Sequence, residues 1–414
     1  MSLPETIAPE SAAPRRWLSI VGIGEDGVEG LTPVARNLIT GAEIVFGGKR
    51  HLAFAAPLIR GAARAWPTPF EGAAPEVLAQ RSRQVCVLAS GDPYLYGVGA
   101  VLARHVDPAE TLVLPAPSAF SLAAARLGWA LQDCALVSLH GRALDLVRPH
   151  LHPGARVLAL TSDGDGPAAL GRLLAESGFG GSRLTVLEAL GGPRERMRAT
   201  TAAAFDLGAI DALNTVAIEV VAAPDARVIA RATGLPDRLF EHDGQITKRE
   251  VRAVTLASLA PRRGELLWDI GAGAGSVAIE WMLADVSLSA IAIEARADRA
   301  ARIARNAAAF GVPGLTVVHG TAPAAMKGIA TPDAIFIGGG CDAAVLDAAV
   351  AALRAGGRLV VNAVTLETEV LLIAQHQERG GEPTRIAIER AEPLGGMTAW
   401  RPALPVTQWS WVKP

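Results

Sequence analysis

Apolar runs of about five to eight residues alternate along the chain with amphipathic stretches rich in Ala, Leu and Arg, a rhythm that predicts an α/β protein. The first run, WLSIVGIG from Trp17 to Gly24, reads as a buried strand entering a Gly-rich turn. Similar runs ending in polar or Gly turns follow at 85–93, 111–118, 155–167, 184–193 and 214–222. Between them lie stretches of helical period, such as Ala119 to Leu127 and Pro167 to Ser177. Alternating strands and helices predict mostly parallel sheets covered by helices.

The segment TGLPDRLFEHDG, 233–244, interrupts this rhythm with Gly, Pro and acidic residues. It is expected to hold an interdomain linker. A second series of strands follows at 266–275, 288–295, 315–323, 333–340 and 357–364. The segments Pro383 to Ile388 and Gln408 to Val412 are expected as antiparallel strands at the sheet edge. The expected organisation is a flexible leader over 1–14, a domain over 15–232, a linker over 233–243 and a second domain over 244–414. A length of 414 residues agrees with two or three domains.

Half of the residues are hydrophobic and 19% are charged, which is enough to bury real cores. The net charge of -2 gives no overall attraction to nucleic acid or to an anionic membrane. Cys86, Cys134 and Cys341 are far apart, so neither a disulfide framework nor a zinc site is suggested and a reducing cytoplasm is expected. The first fourteen residues lack the pattern of an export signal, and no run of about 18 apolar residues predicts a membrane span.

The segment DIGAGAGSVAIE, Asp269 to Glu280, ends a strand on an acid, turns on Gly271, Gly273 and Gly275, and starts a helix at Ser276. Glycines suit such a turn because the backbone bends sharply and a ligand can reach bare N–H groups at the helix start. A dinucleotide fingerprint would place its third Gly at Ser276. The GxGxG loop, completed by Ala272 and Ala274, with an acid two residues earlier, points instead to S-adenosylmethionine (SAM). Glu294 closes the next strand, where a carboxylate can accept hydrogen bonds from both ribose hydroxyls. The plainer alternative is a compact turn with Glu294 as a solvated strand end. Gly320, Thr321 and Ala322 follow the third strand, where they would bracket an adenine. Gly338, Gly339 and Gly340 end the fourth and form either a roomy floor for a flat substrate or a bland loop.

Methyltransferases acting on base amino groups often carry an Asn-Pro-Pro-aromatic loop at that last position. Its absence, with the lack of net basicity, counts against the alternative of an RNA or protein methyltransferase with an N-terminal recognition domain. Ahead of the domain, DGQITKREVR has Thr247 and Glu250 at the spacing of a capping box. Either that cap is its whole role, or the segment folds over the cofactor and Lys248, Arg249 and Arg252 offer cations to a polycarboxylate.

In the N-terminal half, Gly91 of SGDP allows close backbone approach, while Asp92 either serves the site or is an ordinary turn former. Pro117 and Ser118 begin a helix whose N–H groups face a ligand or are simply capped. His140 is a lone histidine, a type more often packed than catalytic, and no catalytic side chain is assigned.

The strings VGIG, SGDP, the Ser118 segment, SLHGR and GGPRER resemble the tetrapyrrole (corrin and porphyrin) methylase family. The second half, from GQITKREVR through DIGAGAGSVAIE to IFIGGG, resembles the decarboxylating precorrin methyltransferase domain. The resemblance implies a two-lobed tetrapyrrole methylase fold followed by a Rossmann-like SAM-dependent methyltransferase fold. It also implies two SAM sites, a tetrapyrrole substrate, and no metal cofactor. The chemistry implied is methyl addition at carbons 5 and 15 with loss of the ring C acetate carboxyl, in cobalamin biosynthesis. Carried over by resemblance, the SAM contacts fall on Thr247, Gly271 to Gly275, Glu294 and Ala322, and in the first half on Gly91, Asp92, Ser118, Ala119, Leu190 and Ala217. Two departures from the family pattern are Glu25 and Asp26 in VGIGEDG and Thr321 where many relatives carry an acid. A homo-oligomer without nucleic-acid or membrane partners is expected.

Overall fold

The computed structural model describes residues 16–67 and 70–414; the expected leader over 1–14 lies outside the described residues. The chain divides into two compact units. The first comprises the described residues up to Arg142 with Gly154–Glu176 and Gly180–Val221, and the second comprises Ala143–Pro153, Ser177–Phe179 and Ala222–Pro414.

The first unit contains two five-stranded sheets. One is built from β1 (Leu18–Ile23), β2 (Ile44–Gly47), β3 (Ala62–Ala65), β4 (Val85–Ser90) and β5 (Thr111–Leu114), in the order β3-β2-β4-β1-β5. All its pairings are parallel, and its central strands are buried on both faces, which explains why they read as continuous apolar runs. The other sheet contains β6 (Cys134–Ser138), β7 (Arg156–Leu160), β8 (Arg183–Glu188), β9 (Arg196–Thr201) and β10 (Asn214–Glu219), in the order β6-β7-β10-β8-β9. Here the expectation of mostly parallel pairing fails. Only β6 and β7 run parallel, while β10 lies antiparallel to both β7 and β8, and β9 to β8. The cause is connectivity: β8 and β9 are joined by a short turn, which only an antiparallel pair allows.

The second unit contains β11 (Leu266–Ile270), β12 (Ser289–Glu294), β13 (Thr316–His319), β14 (Ala334–Ile337), β15 (Arg358–Ala363), β16 (Glu382–Ile386), the hairpin strands β17 (Glu389–Leu394) and β18 (Met397–Pro402), and β19 (Val406–Val412). Seven of these form one sheet in the order β13-β12-β11-β14-β15-β19-β16. Its first five strands are parallel and β19 is antiparallel to both neighbours, as the sequence predicts for the edge. Alternate residues feed opposite cores: Leu267, Ala292 and Phe336 join Trp281 and Ile303 on one face, while Trp268, Ile293 and Ile335 join Leu346 and Trp409 on the other. The separate β17–β18 pair was not expected from the sequence because it has no buried positions and so carries no apolar stripe.

The linker expected over 233–243 is corrected. Leu235 and Phe240 are buried in the core of the second unit, and the Gly234 and Leu235 N–H groups donate to the Glu280 carboxylate at 2.7 and 2.9 Å. Glycine and proline there shape a packed entry to the fold. Among the described residues no helix is long and apolar enough to cross a membrane.

Candidate functional site

In the second unit a crevice of about 410 Å³ opens at the carboxyl ends of β11, β14 and β15, the place where open α/β sheets bind ligands. Gly271, Gly273 and Gly275 all have positive φ, so the backbone turns from β11 into the helix Ser276–Ala284 within a few residues. A Cβ added at Gly271 would fall 2.4 Å from the Gly339 carbonyl oxygen, so the loops after β11 and β14 meet backbone to backbone. At Gly275 it would fall 2.7 Å from the Ile303 side chain, which makes that glycine a packing residue beneath the loop. Glu294 reaches the loop from behind by accepting the Gly273 N–H at 2.9 Å.

Buried Asp269 accepts the Ala278 N–H at 3.1 Å. Burial pushes its carboxyl up to about 7, and the Glu294 charge adds to this against that hydrogen bond. This acid holds the start of the helix rather than facing the crevice.

Of the residues expected here, Thr247, Lys248, Gly271, Ala272, Gly273, Gly338 and Gly339 line the crevice together. Ala274, Gly275, Glu294, Thr321, Ala322 and Gly340 are not among its lining. Ala274 is buried with its carbonyl bound by Asn306 Nδ2 at 2.9 Å, and Ala322 packs on the core around Trp268. Two readings of the entry segment are corrected. Thr247 does not cap the helix, which runs Arg249–Leu259 with Lys248 at the cap and no side-chain cap bond. The Thr247 carbonyl instead accepts from Arg252, whose Nε donates to Glu280 at 2.6 Å and whose Nη1 donates to Asp237 at 3.1 Å. Arg252 is fully buried, so it is a structural cation and not a substrate ligand. Arg249 is exposed and outside the lining.

In the first unit a cavity of about 780 Å³ lies where the ends of β1, β4 and β5 face residues that end or follow β6, β7 and β8 and residues that precede and begin β10. A Cβ at Gly22 would fall 2.0 Å from the Gly91 carbonyl oxygen, so no side chain fits where these loops converge. Gly91, Ser118, Ala119 and Leu190 line the cavity together with His140. Ser118 caps the helix Ala119–Leu127 by accepting the Ser121 N–H at 3.1 Å. Asp92 and Ala217 are placed differently from the expectation. Asp92 accepts the Tyr94 N–H at 2.8 Å as a turn former, and Ala217 is buried in the core beneath Phe120 and Leu187.

Glu25 lines this cavity and pairs with Arg50 at 3.2 Å and Arg194 at 3.5 Å, so the charge in VGIGEDG is neutralised locally. Beside it, burial and the Arg50 cation push His51 down to about 4, leaving a neutral imidazole at the cavity wall. Both volumes lie within the roughly 300–1,000 Å³ of small-molecule pockets, and each is lined in part by glycine backbone.

The profile of the tetrapyrrole (corrin/porphyrin) methylases matches residues 18–206, and that of the precorrin methyltransferase domain matches 238–413. A Sinorhizobium precorrin-6Y C(5,15)-methyltransferase (decarboxylating) is 61% identical over 405 residues, covering 98% of each chain. The chain belongs to the precorrin-6Y C(5,15)-methyltransferase (decarboxylating) family. The Mycobacterium tuberculosis member is 42% identical over 400 residues, covering 95% of this chain and 99% of its own. The solved C-terminal domain of the Rhodobacter capsulatus precorrin-6Y C5,15-methyltransferase is 50% identical, covers 45% of this chain and 100% of its own, and aligns with a TM-score of 0.43.

In this member of the precorrin-6Y methyltransferase family, the cations at the second crevice are Lys248, Arg299 and Arg390. Sequence reasoning found only the first. Arg299 comes from the helix Ala297–Ala309 and is held by Asp243 at 2.8 Å, and Arg390 comes from β17 and pairs with Glu250. Neither belongs to a local motif, and Asn362, at the end of β15, was equally silent.

Proposed function

We propose that each unit holds one SAM and that the units divide the family's chemistry. The first methylates carbon 5, and the second methylates carbon 15 and removes the ring C acetate carboxyl. As a family member the chain is a SAM-dependent, decarboxylating methyltransferase acting on a tetrapyrrole in cobalamin biosynthesis. The alternative of an RNA or protein methyltransferase is not favoured, since relatives matching almost the whole chain carry the corrin activity.

The observation that carries the proposal is the pair of separate glycine-backed cavities, one per unit, each at the carboxyl ends of parallel strands. SAM supplies an electrophilic methyl on a sulfonium, and an enamine-like carbon of the reduced macrocycle supplies the electrons. The protein therefore has to hold the carbon in line with the methyl and exclude water, which positioning can achieve without a strong base. In the second unit the bare backbone at Gly271 and Gly273 would carry SAM, and Gly338 and Gly339 leave room for the macrocycle. Lys248, Arg299 and Arg390 would meet its peripheral carboxylates. Methylation next to ring C perturbs the conjugated segment that takes up the electrons of the departing carboxylate, so one pocket can hold both reacting centres.

The reading places the enzyme in the cytoplasm, in keeping with three free cysteines. It includes self-association of the chain, which light scattering of the full chain checks.

Calorimetry on the full chain should give two SAM per chain, and one would overturn the proposal. With SAM and the reduced precorrin, Gly273→Val should leave the acetate carboxyl in place. Gly91→Val should give a product with one new methyl and that carboxyl gone. Decarboxylation lost with Gly91→Val and kept with Gly273→Val would reverse the assignment.

A further inference from the structure

Behind the second crevice lies a polar cluster of buried Thr255 and Gln408 with half-buried Ser258 and Asn362 that none of the family motifs contains. Asn362 is the member that lines the crevice; Thr255 and Gln408 are fully buried behind it. Asn362 Nδ2 lies 2.9 Å from Thr255 Oγ1, Gln408 Nε2 lies 3.1 Å from the same oxygen, and the two amides meet each other at 2.9 Å.

This triangle admits one arrangement of protons. A threonine hydroxyl has a single hydrogen, so it cannot satisfy two amide oxygens at once. If either amide turned its oxygen to Thr255, an oxygen would face an oxygen or an amino group an amino group elsewhere in the triangle. Both NH2 groups must therefore face Thr255, with Gln408 using its second hydrogen on Asn362 Oδ1 and accepting from Ser258 Oγ at 2.7 Å. The orientation of Asn362 is thus fixed by chemistry rather than by choice of fit. Its second Nδ2 hydrogen has no partner among the described residues.

We infer that Asn362 presents this hydrogen to the crevice as the donor that orients the ring C acetate carboxylate for decarboxylation. The inference rests on the function proposed above. Val364, Ile386, Leu404 and Val406 make the adjoining wall apolar, while the cations belong to Lys248, Arg299 and Arg390. An apolar wall favours a step in which an anion becomes neutral carbon dioxide, and a cation against the reacting carboxylate would oppose it. One neutral donor fixes direction without that penalty: it holds the bond to the carboxyl carbon out of the macrocycle plane, where its electron pair can enter the conjugated system. That bond breaks, carbon dioxide leaves, and the former acetate methylene takes one proton from water to become a methyl. Thr255 and Gln408 are positioning residues, acting only through the Asn362 amide.

The test uses the full chain with SAM and reduced precorrin, and mass spectrometry separates methyl gain from carbon dioxide loss. Asn362→Asp keeps the acceptor for Gln408 and replaces the donor by an oxygen, and Asn362→Ala removes both. In each, methyl transfer at carbon 15 should fall by a smaller factor than decarboxylation, with SAM binding measured beside it to report an intact fold. Decarboxylation should slow by at least about ten-fold, so that a methylated product one carbon dioxide heavier accumulates. Gln408→Met, which frees the amide to turn, should shift the product ratio the same way by a smaller factor. If methylation and decarboxylation fall together, or the product ratio stays that of the native chain, Asn362 is not the orienting donor. If the native chain itself neither methylates nor decarboxylates, the proposed function falls first and this inference with it. Loss of folding in the alanine variant leaves the isosteric aspartate variant to decide.

Discussion

Glu294 ties the glycine loop of the second crevice to the N-cap of the helix Ala297–Ala309, accepting the Gly273 N–H on one carboxylate oxygen and the Arg296 N–H on the other, both at 2.9 Å. The acid that the sequence marks as a ribose ligand is therefore also the brace that fixes the glycine loop. Each oxygen keeps a second lone pair, so bracing and ligand binding are compatible.

Removing the brace should weaken SAM binding in the second unit alone. Hydrogen bonds to a charged group contribute about 1.5–3 kcal/mol, so Glu294→Ala should lower that affinity by roughly 10- to 100-fold. The first unit's site should be unchanged. Two-site calorimetry checks this, and equal weakening at both sites would contradict it.

Arg252 and Arg249 are near neighbours in sequence and should behave oppositely. Arg252→Met leaves the buried Glu280 carboxylate without its cation and should cost about 3–5 kcal/mol of stability. Arg249→Ala, on the exposed side, should fall within about 0.5 kcal/mol of the native chain. Denaturant midpoints compare the two; a mild Arg252→Met would restore a ligand role for that residue.

Asp269 should make the second unit less stable as pH rises. Burial lifts its carboxyl from the ordinary 3.8 to about 7, so the unfolded chain ionises first. The contribution of this group is complete below about pH 4 and is lost as pH rises through about 7. Asp269→Asn keeps an acceptor for the Ala278 N–H and removes the titration. Its stability relative to the native chain should therefore climb between about pH 4 and pH 7. Parallel stability profiles for the two proteins would refute the assignment.

The glycine loop was legible because its constraint is local: positive φ at Gly271, Gly273 and Gly275 is written in residue type. What each glycine faces was not. A Cβ would meet the Gly339 backbone at Gly271, would stand 3.4 Å from the Gln245 carbonyl oxygen at Gly273, and would clash with Ile303 at Gly275. The capping box at Thr247 was a matching pattern without a matching structure, because the same residue's carbonyl is needed by Arg252 and the helix begins beyond it. The antiparallel half of the first unit was missed for a similar reason: strand propensity specifies which face is buried, but not the direction of the partner.

By itself the sequence determined the alternation of strands and helices, the last two strands of the second unit's sheet and the glycine turns, all of which follow from periodicity and backbone freedom within short windows. It also carried the motifs that assign the family. Tertiary structure alone decided which charges reach the crevice and which become struts. Arg252 is withdrawn from solvent by Glu280 and Asp237, while Arg299 and Arg390 are brought to the crevice from a distant helix and a hairpin. The triangle of Thr255, Asn362 and Gln408 likewise joins three elements far apart in the chain. Burial and hydrogen-bond partners at such distances are set by how the elements pack, and no local pattern of residues contains that information.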